Sequence, residues 1–389
     1  MCGIAGVVSF RNGRFDRVAE ELLYVRDSMS RRGPDGKGLW WSEDGRIGFG
    51  HRRLAIIDLD DRALQPMHGP SGSVIVFNGE IYNYRALRDE LSRERGVVFR
   101  TESDTEVLLA LYDAYGQEMV GKLRGMFTFA IWDPKRGGVL LARDPYGIKP
   151  LYYGEADGRL WFASQVKPLS KVAGMATAAD PAGMVGFQLM GAVPEPFTLY
   201  EGIRALPAGS TMWMGAARAE APERYASVAA ALSAARTDSS APIRETVAAA
   251  ALDSVRSHLV ADVEVGTFLS SGIDSGALVG LMRDAGQSHI RAITLGFEEL
   301  RGSETDEVPL ARRIAAQYGA EHYVRTVTRE EFASSTEQIL ADMDQPSVDG
   351  VNTWFVSKAA HECGLRVVLS GLGGDELLGG YSKIGRAHV

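Results

Sequence analysis

The sequence predicts two domains of different build: a layered α+β domain dominated by short strands, then an α/β domain with a doubly wound parallel sheet. Three observations point there. Up to about residue 212, segments such as CGIAGVVSF, RIGFGHRRLAIID, SVIVFNGEIYN, MFTFAIWD, GVLLARD and RLWFAS are rich in Val, Ile, Phe and Trp and are separated by Gly and Asp-Gly turns. From about 214 to 242 the chain becomes alanine-rich, poor in large apolar residues, and ends in Ser and Pro. Beyond it the pattern changes to strand, glycine-rich turn, helix, as in VEVGTFLSSGIDSGALVGLMRDAG and LRVVLSGLGGDELLGGY. That alternation is the signature of a parallel sheet covered by helices on both faces.

The boundaries follow: residues 2–212 form the first domain, 213–242 a linker, and 243–389 the second domain. With 389 residues, 45% of them hydrophobic, the chain can bury two cores. Two amphipathic helices interrupt the first domain, near FDRVAEELLYVRDSM and DTEVLLALYDAYG, where apolar residues recur at helical spacing. The stretch GQEMVGKL at 116–123 imitates a phosphate-binding loop. Leu123 occupies its Ser or Thr position, and it follows a helix where such a loop follows a strand, so it reads as a turn.

A formal charge of −8 without a basic patch argues against nucleic-acid and anionic-membrane partners and favours small-molecule ligands. No apolar run approaches the ~20 residues that cross a bilayer, and MCGIAGVVSFRNGRF lacks a basic lead and a cleavage pattern, so a cytoplasmic location is expected. The two cysteines, Cys2 and Cys363, form neither a CxxC pair nor a zinc cluster. Cys363, near the end of a helical pattern, reads as a small buried apolar residue.

Cys2 is different. Removal of the initiator Met would leave it with a thiol and a free α-amine. An α-amine with a reference pKa near ~8 can take the thiol proton at neutral pH, so one residue supplies nucleophile and base. Its neighbours in the sequence are CGIAG, RRGPDG, HRRLAIID, FNGEIYNY, ESDTEVLL and ARDPYGIKPLYY, in that order. They resemble the class II glutamine amidotransferase domain of the N-terminal nucleophile group, over almost all of residues 2–212. The resemblance implies a four-layered αββα glutaminase. Asn78 and Gly79 would form its oxyanion hole, and Arg53 and Leu54, with Glu80 and Asp104, would bind glutamine. Arg53 suits the α-carboxylate and the two acids the α-ammonium group. Asp104 also stands where a helix N-cap would sit.

In the second domain, SSGIDS at 270–275 lies between a strand and a helix, where backbone N–H groups favour an anion. It resembles the pyrophosphate loop of N-type ATP pyrophosphatases, with Ser271 in place of a usual glycine. That resemblance implies ATP binding by Leu269, Ser270, Ser271, Gly272, Asp274, Ser275, Leu295, Ser370 and Gly371, with Mg²⁺ shared by Asp274 and Asp375.

Together the two halves resemble the glutamine-hydrolysing asparagine synthetases, with a homodimer as the family's usual assembly. Glutamine would be hydrolysed at Cys2, and ammonia would pass through an internal channel to an acyl-adenylate made from ATP and aspartate. Two features depart from the family. Leu372 stands between the glycines of SGLGG where asparagine synthetases commonly carry an acid, which leaves open a sugar or peptide carboxylate as acceptor. The chain also ends soon after GGY, where the family continues through further helices, and Lys383–Val389 can be encoded by a sequencing-adapter sequence, so a longer natural protein is expected. A non-catalytic binding protein with this fold is the remaining alternative, disfavoured by the intact Cys2, Asn78, Asp104, Asp274 and Asp375.

Overall fold

The computed structural model describes residues 1–10, 16–215, 217–234, 242–378 and 380. The chain divides into two compact units, Met1–Ser239 with Asp344–Val348, and Ser240–Met343 with Asp349–Val389. Lys383–Val389, the segment that an adapter sequence can encode, lies outside the described residues.

The first unit contains the strands β1 (Gly3–Ser9), β2 (Gly36–Trp41), β3 (Ile47–Arg53), β4 (Met67–His68), β5 (Val74–Ile81), β6 (Gly125–Asp133), β7 (Gly138–Arg143), β8 (Tyr152–Ala156), β9 (Arg159–Ala163), β10 (Ile203–Ala205), β11 (Ser210–Met214) and β12 (Glu223–Arg224). Among the described residues they form two six-stranded antiparallel sheets, ordered β10-β8-β9-β1-β3-β2 and β12-β11-β7-β6-β5-β4. Alternation along β1 explains the layering. Ile4 and Val8 face the second sheet, against Val74, Val76, Ala130 and Leu141. Ala5 and Val7 face the opposite way, under Val18, Leu22 and Val25 of helix α1 (Asp16–Ser28). Gly6 lies between them because a Cβ there would sit 2.2 Å from the Phe162 ring.

Helices α2 (Tyr84–Arg95) and α3 (Asp104–Tyr115) belong to the second sheet's side, which completes the αββα order expected. The sequence reading missed α2. It buries only Tyr84, Leu87 and Leu91, and its other positions are mostly charged, so its apolar stripe is thin. The expected N-cap at Asp104 is corrected: Ser103 is the cap, its side chain accepting from the Thr105 N–H at 3.2 Å, and Asp104 is the first helical residue. Residues 116–122 form a 3₁₀ helix that buries Met119 and Val120, in keeping with a turn. Helices α4 (Val166–Leu169), α5 (Pro181–Met190) and α6 (Val228–Ala234) also belong to this unit. Part of the stretch expected as linker is structured here, since Ser210 and Thr211 pair with Arg224 and Glu223.

Among the described residues, the second unit has four parallel strands, β13 (Val265–Phe268), β14 (Arg291–Phe297), β15 (Glu321–Val327) and β16 (Val367–Leu369), in the order β15-β14-β13-β16. Helices α7 (Ile243–His258), α8 (Ile273–Asp284) and α9 (Val308–Gln317) share one core with Ala292 of β14. Helices α10 (Arg329–Asp342) and α11 (Gly350–Glu362) cover the opposite face, where Ile293 meets Ala359 and Ala360. This is the doubly wound sheet expected. Its strand order reverses between β13 and β16, the switch point at which open α/β sheets bind ligands. Helix α12 (Gly374–Leu378) follows β16. Cys363 caps α11 and is half-buried against Ile293 and Leu365, less enclosed than expected. Among the described residues, no helix is long and apolar enough to cross a membrane.

Candidate functional site

A pocket in the first unit is lined by Cys2, Arg53, Leu54, Asn78, Gly79, Glu80, Asp104 and Lys149, with Met1 at its edge. Every glutaminase residue expected from the sequence therefore lines one cavity. Its geometry follows from the register of β5 and β6. Gly79 stands opposite Phe127. Phe127 directs both its backbone groups to Asp144, donating to Oδ2 at 3.2 Å and accepting from the Asp144 N–H at 2.8 Å. The pair is thus a non-hydrogen-bonded one, and Gly79 points its own N–H away from β6.

Residues of the same parity use that direction for side chains. The Phe77 N–H goes to Gln65 Oε1 at 2.6 Å and the Ile81 N–H to Asp104 Oδ2 at 3.0 Å. Between them the Gly79 N–H is left facing the pocket. A side chain at Gly79 is excluded, because a Cβ would lie 2.3 Å from the Met126 carbonyl oxygen. Beside it, Asn78 is buried and its Nδ2 has no partner. A buried amide donor without an acceptor is costly unless a ligand completes it. Two donor-bearing residues lining one cavity are what an oxyanion requires.

The Cys2 thiol lies against β3. Its Sγ accepts from the Leu54 N–H at 3.3 Å, and the Leu54 carbonyl lies 3.6 Å away as acceptor for the thiol proton. Leu54 therefore holds the Cys2 thiol through its backbone, a contact not expected from the sequence. Burial pushes the thiol pKa up, and the Leu54 backbone contact opposes that shift. In this chain the α-amine belongs to Met1, where burial lowers its pKa to about 5. Arg32 Nε donates to the Cys2 carbonyl at 3.1 Å and fixes the main chain beside the thiol.

Arg53 is buried, and two of its nitrogens donate to the loop carbonyls of Asp60, at 3.0 Å, and Asp58. Asp104 and Glu80 are buried side by side, and burial, with the Glu80 charge adding to it, raises Asp104 to about 7. Three further residues escaped the sequence reading. Gln65 and His51 bracket the Phe77 peptide, His51 Nε2 lying 3.1 Å from the Phe77 carbonyl, and Lys149 reaches the cavity. Burial drops His51 to about 3, so it is neutral, and Nε2 carries the proton it donates. The motifs HRRL and YGIKP contained two of these residues, but nothing in their spacing indicates which side chains turn inward.

The second unit brings its two expected loops together at the switch point. In SSGIDS the Ser270 N–H donates to Ser275 Oγ at 3.0 Å, and the Gly272 N–H to Ser270 Oγ at 3.1 Å, so the serines shape the turn into α8. Gly272 caps α8, and Asp274 falls in its first turn. A Cβ at Gly374 would lie 2.5 Å from Asp274 Oδ2, which places the Asp274 carboxylate against the loop that carries Asp375. Gly371 is similarly close, its Cβ position 3.1 Å from that of Asp274. Ser271 Oγ donates to Glu307 at 3.3 Å.

Leu269, expected to contact ATP, has its side chain buried in the sheet core; its N–H goes to Ile293 and its carbonyl accepts from Thr294 Oγ1 at 2.6 Å. Leu295 is half-buried against the α11 side, Ser370 is exposed, and Leu372 is 86% exposed at the loop tip. Among the described residues there is no group of three or more His, Cys, Asp or Glu placed to hold a metal.

The sequence matches the glutamine amidotransferase domain family over residues 1–226 and the asparagine synthase family over 246–389. Among named proteins, asparagine synthetase (glutamine-hydrolyzing) 1 of Bacillus subtilis is 37% identical, over 98% of this chain and 59% of its own length. Asparagine synthetase (glutamine-hydrolyzing) 3 of the same organism is 30% identical, over 100% of this chain and 64% of its own. Amidase chry2 of Gibberella zeae is 31% identical, over 98% and 59%. The chain thus spans about 60% of the length of the relatives it matches first. Among solved structures, a glutamine phosphoribosylpyrophosphate amidotransferase from B. subtilis aligns with a TM-score of 0.45 and 15% identity, over 85% of this chain and 91% of that one. That likeness is too distant to bear on function.

Proposed function

The chain belongs to the glutamine-hydrolysing asparagine synthetase family, and on that premise we propose that it is the glutaminase and nucleotide-binding part of an ATP-dependent amidotransferase. The observation that carries this reading is the row of β5 donors: the Gly79 N–H and the unpartnered Asn78 amide share one cavity with Cys2.

In this mechanism, loss of Met1 gives Cys2 a free α-amine, which takes the thiol proton. The thiolate attacks the glutamine amide carbon, and the oxyanion is held by Asn78 Nδ2 and the Gly79 N–H. The ammonium proton then passes to the departing nitrogen, the C–N bond breaks, and ammonia leaves a thioester on Cys2. Water, deprotonated by the same amine, releases glutamate. Arg53 takes the substrate α-carboxylate, and Asp104 with Glu80 its α-ammonium.

In the second unit the acceptor carboxylate attacks the α-phosphorus of ATP, pyrophosphate leaves, and ammonia displaces AMP from the acyl-adenylate to form the amide. Asp274 and Asp375, on loops in contact, fit Mg²⁺, which prefers one or two carboxylates and completes its shell with water and phosphate oxygens. The ion would neutralise the departing pyrophosphate. Aspartate is the acceptor of first choice. The exposed Leu372, standing where an acid is expected, supports a second reading with a different carboxylate.

Two assays test the proposal: release of glutamate from glutamine, and release of pyrophosphate from ATP with ammonia and a panel of carboxylates. Glutamate release is expected from the wild type and not from Cys2→Ala. Equal release from both would overturn the nucleophile assignment. Pyrophosphate release dependent on a sugar or peptide carboxylate but not on aspartate would decide for the second reading.

A further inference from the structure

Lys149 enters none of the steps above, yet the fold holds it firmly. The buried carboxylate of Asp144 accepts the backbone N–H groups of Tyr146 and Ile148 at Oδ1, each at 3.0 Å, and that of Lys149 at Oδ2, also at 3.0 Å. Arg143 clamps the same loop through its carbonyls: Nε donates to Lys149 at 2.9 Å and a terminal nitrogen to Gly147 at 2.7 Å. Arg143 is anchored in turn by the Leu206 carbonyl at 2.6 Å and by an ion pair with Glu195 at 2.6 Å. With its N–H and carbonyl both fixed, Lys149 has one place for its side chain. That place is the cavity wall, where it is 5% exposed.

A buried ammonium group is costly without a use. The groups that face it define one. Glu80 of β5 is the anion nearest in effect, followed by the Cys2 thiol, with Arg32 and Asp144 beyond. The Cys2 thiol in turn feels the α-amine, Lys149 and Arg53. The Met1 α-amine, which stands one residue before the one that Cys2 gains on loss of Met1, feels Cys2, Arg32, Lys149 and Glu80, and Asp104 feels Glu80.

We infer that the Lys149 ammonium is the electrostatic partner of the nucleophile, favouring the form of Cys2 in which the thiol is ionised and the α-amine neutral. This rests on the glutaminase reading. The physical argument has a fixed sign. A cation beside a thiol favours the thiolate, and a cation beside an amine disfavours its protonated form. One charge therefore biases nucleophile and base in the direction the reaction needs, and it opposes the burial that pushes the thiol up. Glu80 acts with the opposite sign on the Met1 α-amine, which gives the cavity a reason to hold a cation as well as an anion.

The test is the pH dependence of iodoacetamide alkylation at Cys2, followed by peptide mass spectrometry in a Cys363→Ser background. The variants are Lys149→Met, Lys149→Gln and Lys149→Arg. The neutral variants are expected to move the alkylation midpoint up by about one pH unit and to slow modification at pH 7 about tenfold, with Lys149→Arg close to wild type. The acid limb of kcat/KM for glutamine should move by the same amount. Thermal melting identifies any variant that does not fold, and Lys149→Gln, which keeps a polar side chain in the cavity, stands in if Lys149→Met is lost. An alkylation profile unchanged in the neutral variants, or changed equally in Lys149→Arg, would overturn the inference. If the profile tracks the charge but the wild type releases no glutamate, the glutaminase reading fails and the electrostatic one stands.

Discussion

The two candidate sites are built on opposite principles. In the first unit the functional groups are side chains sunk into a cavity: Asn78, Glu80, Asp104, Arg53 and Lys149 are all buried. Asp104 is oriented by the Ile81 N–H, and Arg53 by the carbonyls of Asp58 and Asp60. In the second unit the functional groups are backbone and short side chains on two open loops, with Ser370 exposed and Asp274 and Asp375 half-exposed. The difference suits the ligands proposed. Small neutral glutamine needs a dry, preorganised oxyanion site. A polyanion already carries the charge that helix N-termini and a cation attract, so open loops suffice. Buried sites gain most from each contact and lose most when one is removed.

The strongest test of that contrast is Cys2→Ala. Glutamate release should fall to background, more than about 10³-fold, because the bond-forming atom is gone. Ammonia-dependent pyrophosphate release should be untouched. A fall in both activities would mean the two sites are not independent.

A smaller effect belongs to Asn78→Ala. Loss of one oxyanion donor should lower kcat for glutamine by roughly 10²–10³-fold with little change in KM. A rise in KM at constant kcat would reassign Asn78 to ground-state binding.

On the open side, Asp274→Asn should reduce magnesium-dependent pyrophosphate release by at least about tenfold, with the midpoint of the magnesium titration moved up. Glutaminase turnover should not change. An unchanged magnesium titration would remove Asp274 from the metal site and weaken the contrast.

The mildest effect is a pH dependence. Asp104 sits at about 7, so its ionised form prevails only above that pH. The α-ammonium of glutamine pairs with the ionised form, hence KM for glutamine should rise up to about tenfold per pH unit below 7 and level off above it. The sign for stability is opposite. Ionising a carboxyl whose pKa is raised costs folding free energy as pH climbs from the ordinary carboxylate range to 7, and a bound ammonium offsets that cost. Glutamine should therefore raise the melting temperature more at pH 8 than at pH 6. Asp104→Asn should abolish the KM limb, and persistence of the limb in that variant would assign it to Glu80.

The sequence by itself determined the fold class, the family and the motif loops. Alternating apolar strands, turn glycines and strand–loop–helix units are local patterns that the chain repeats in order. It determined that Cys2, FNGE and ESDTE belong together only through resemblance, because no local property links positions 2, 78 and 104. Helix α2 escaped because three buried side chains make a faint stripe, and part of the expected linker proved to be the partner of β11 because a two-residue strand has no period to read.

Tertiary structure alone decided which backbone donors stay open. The Gly79 N–H faces the cavity because Asp144, far away in sequence, occupies both backbone groups of Phe127 and so sets the parity of the whole row. It decided likewise that Leu269 belongs to the core and that Lys149 belongs to the pocket. Direction in a strand changes with every residue, and only the partner strand and the groups that bind its edge settle which way each one points.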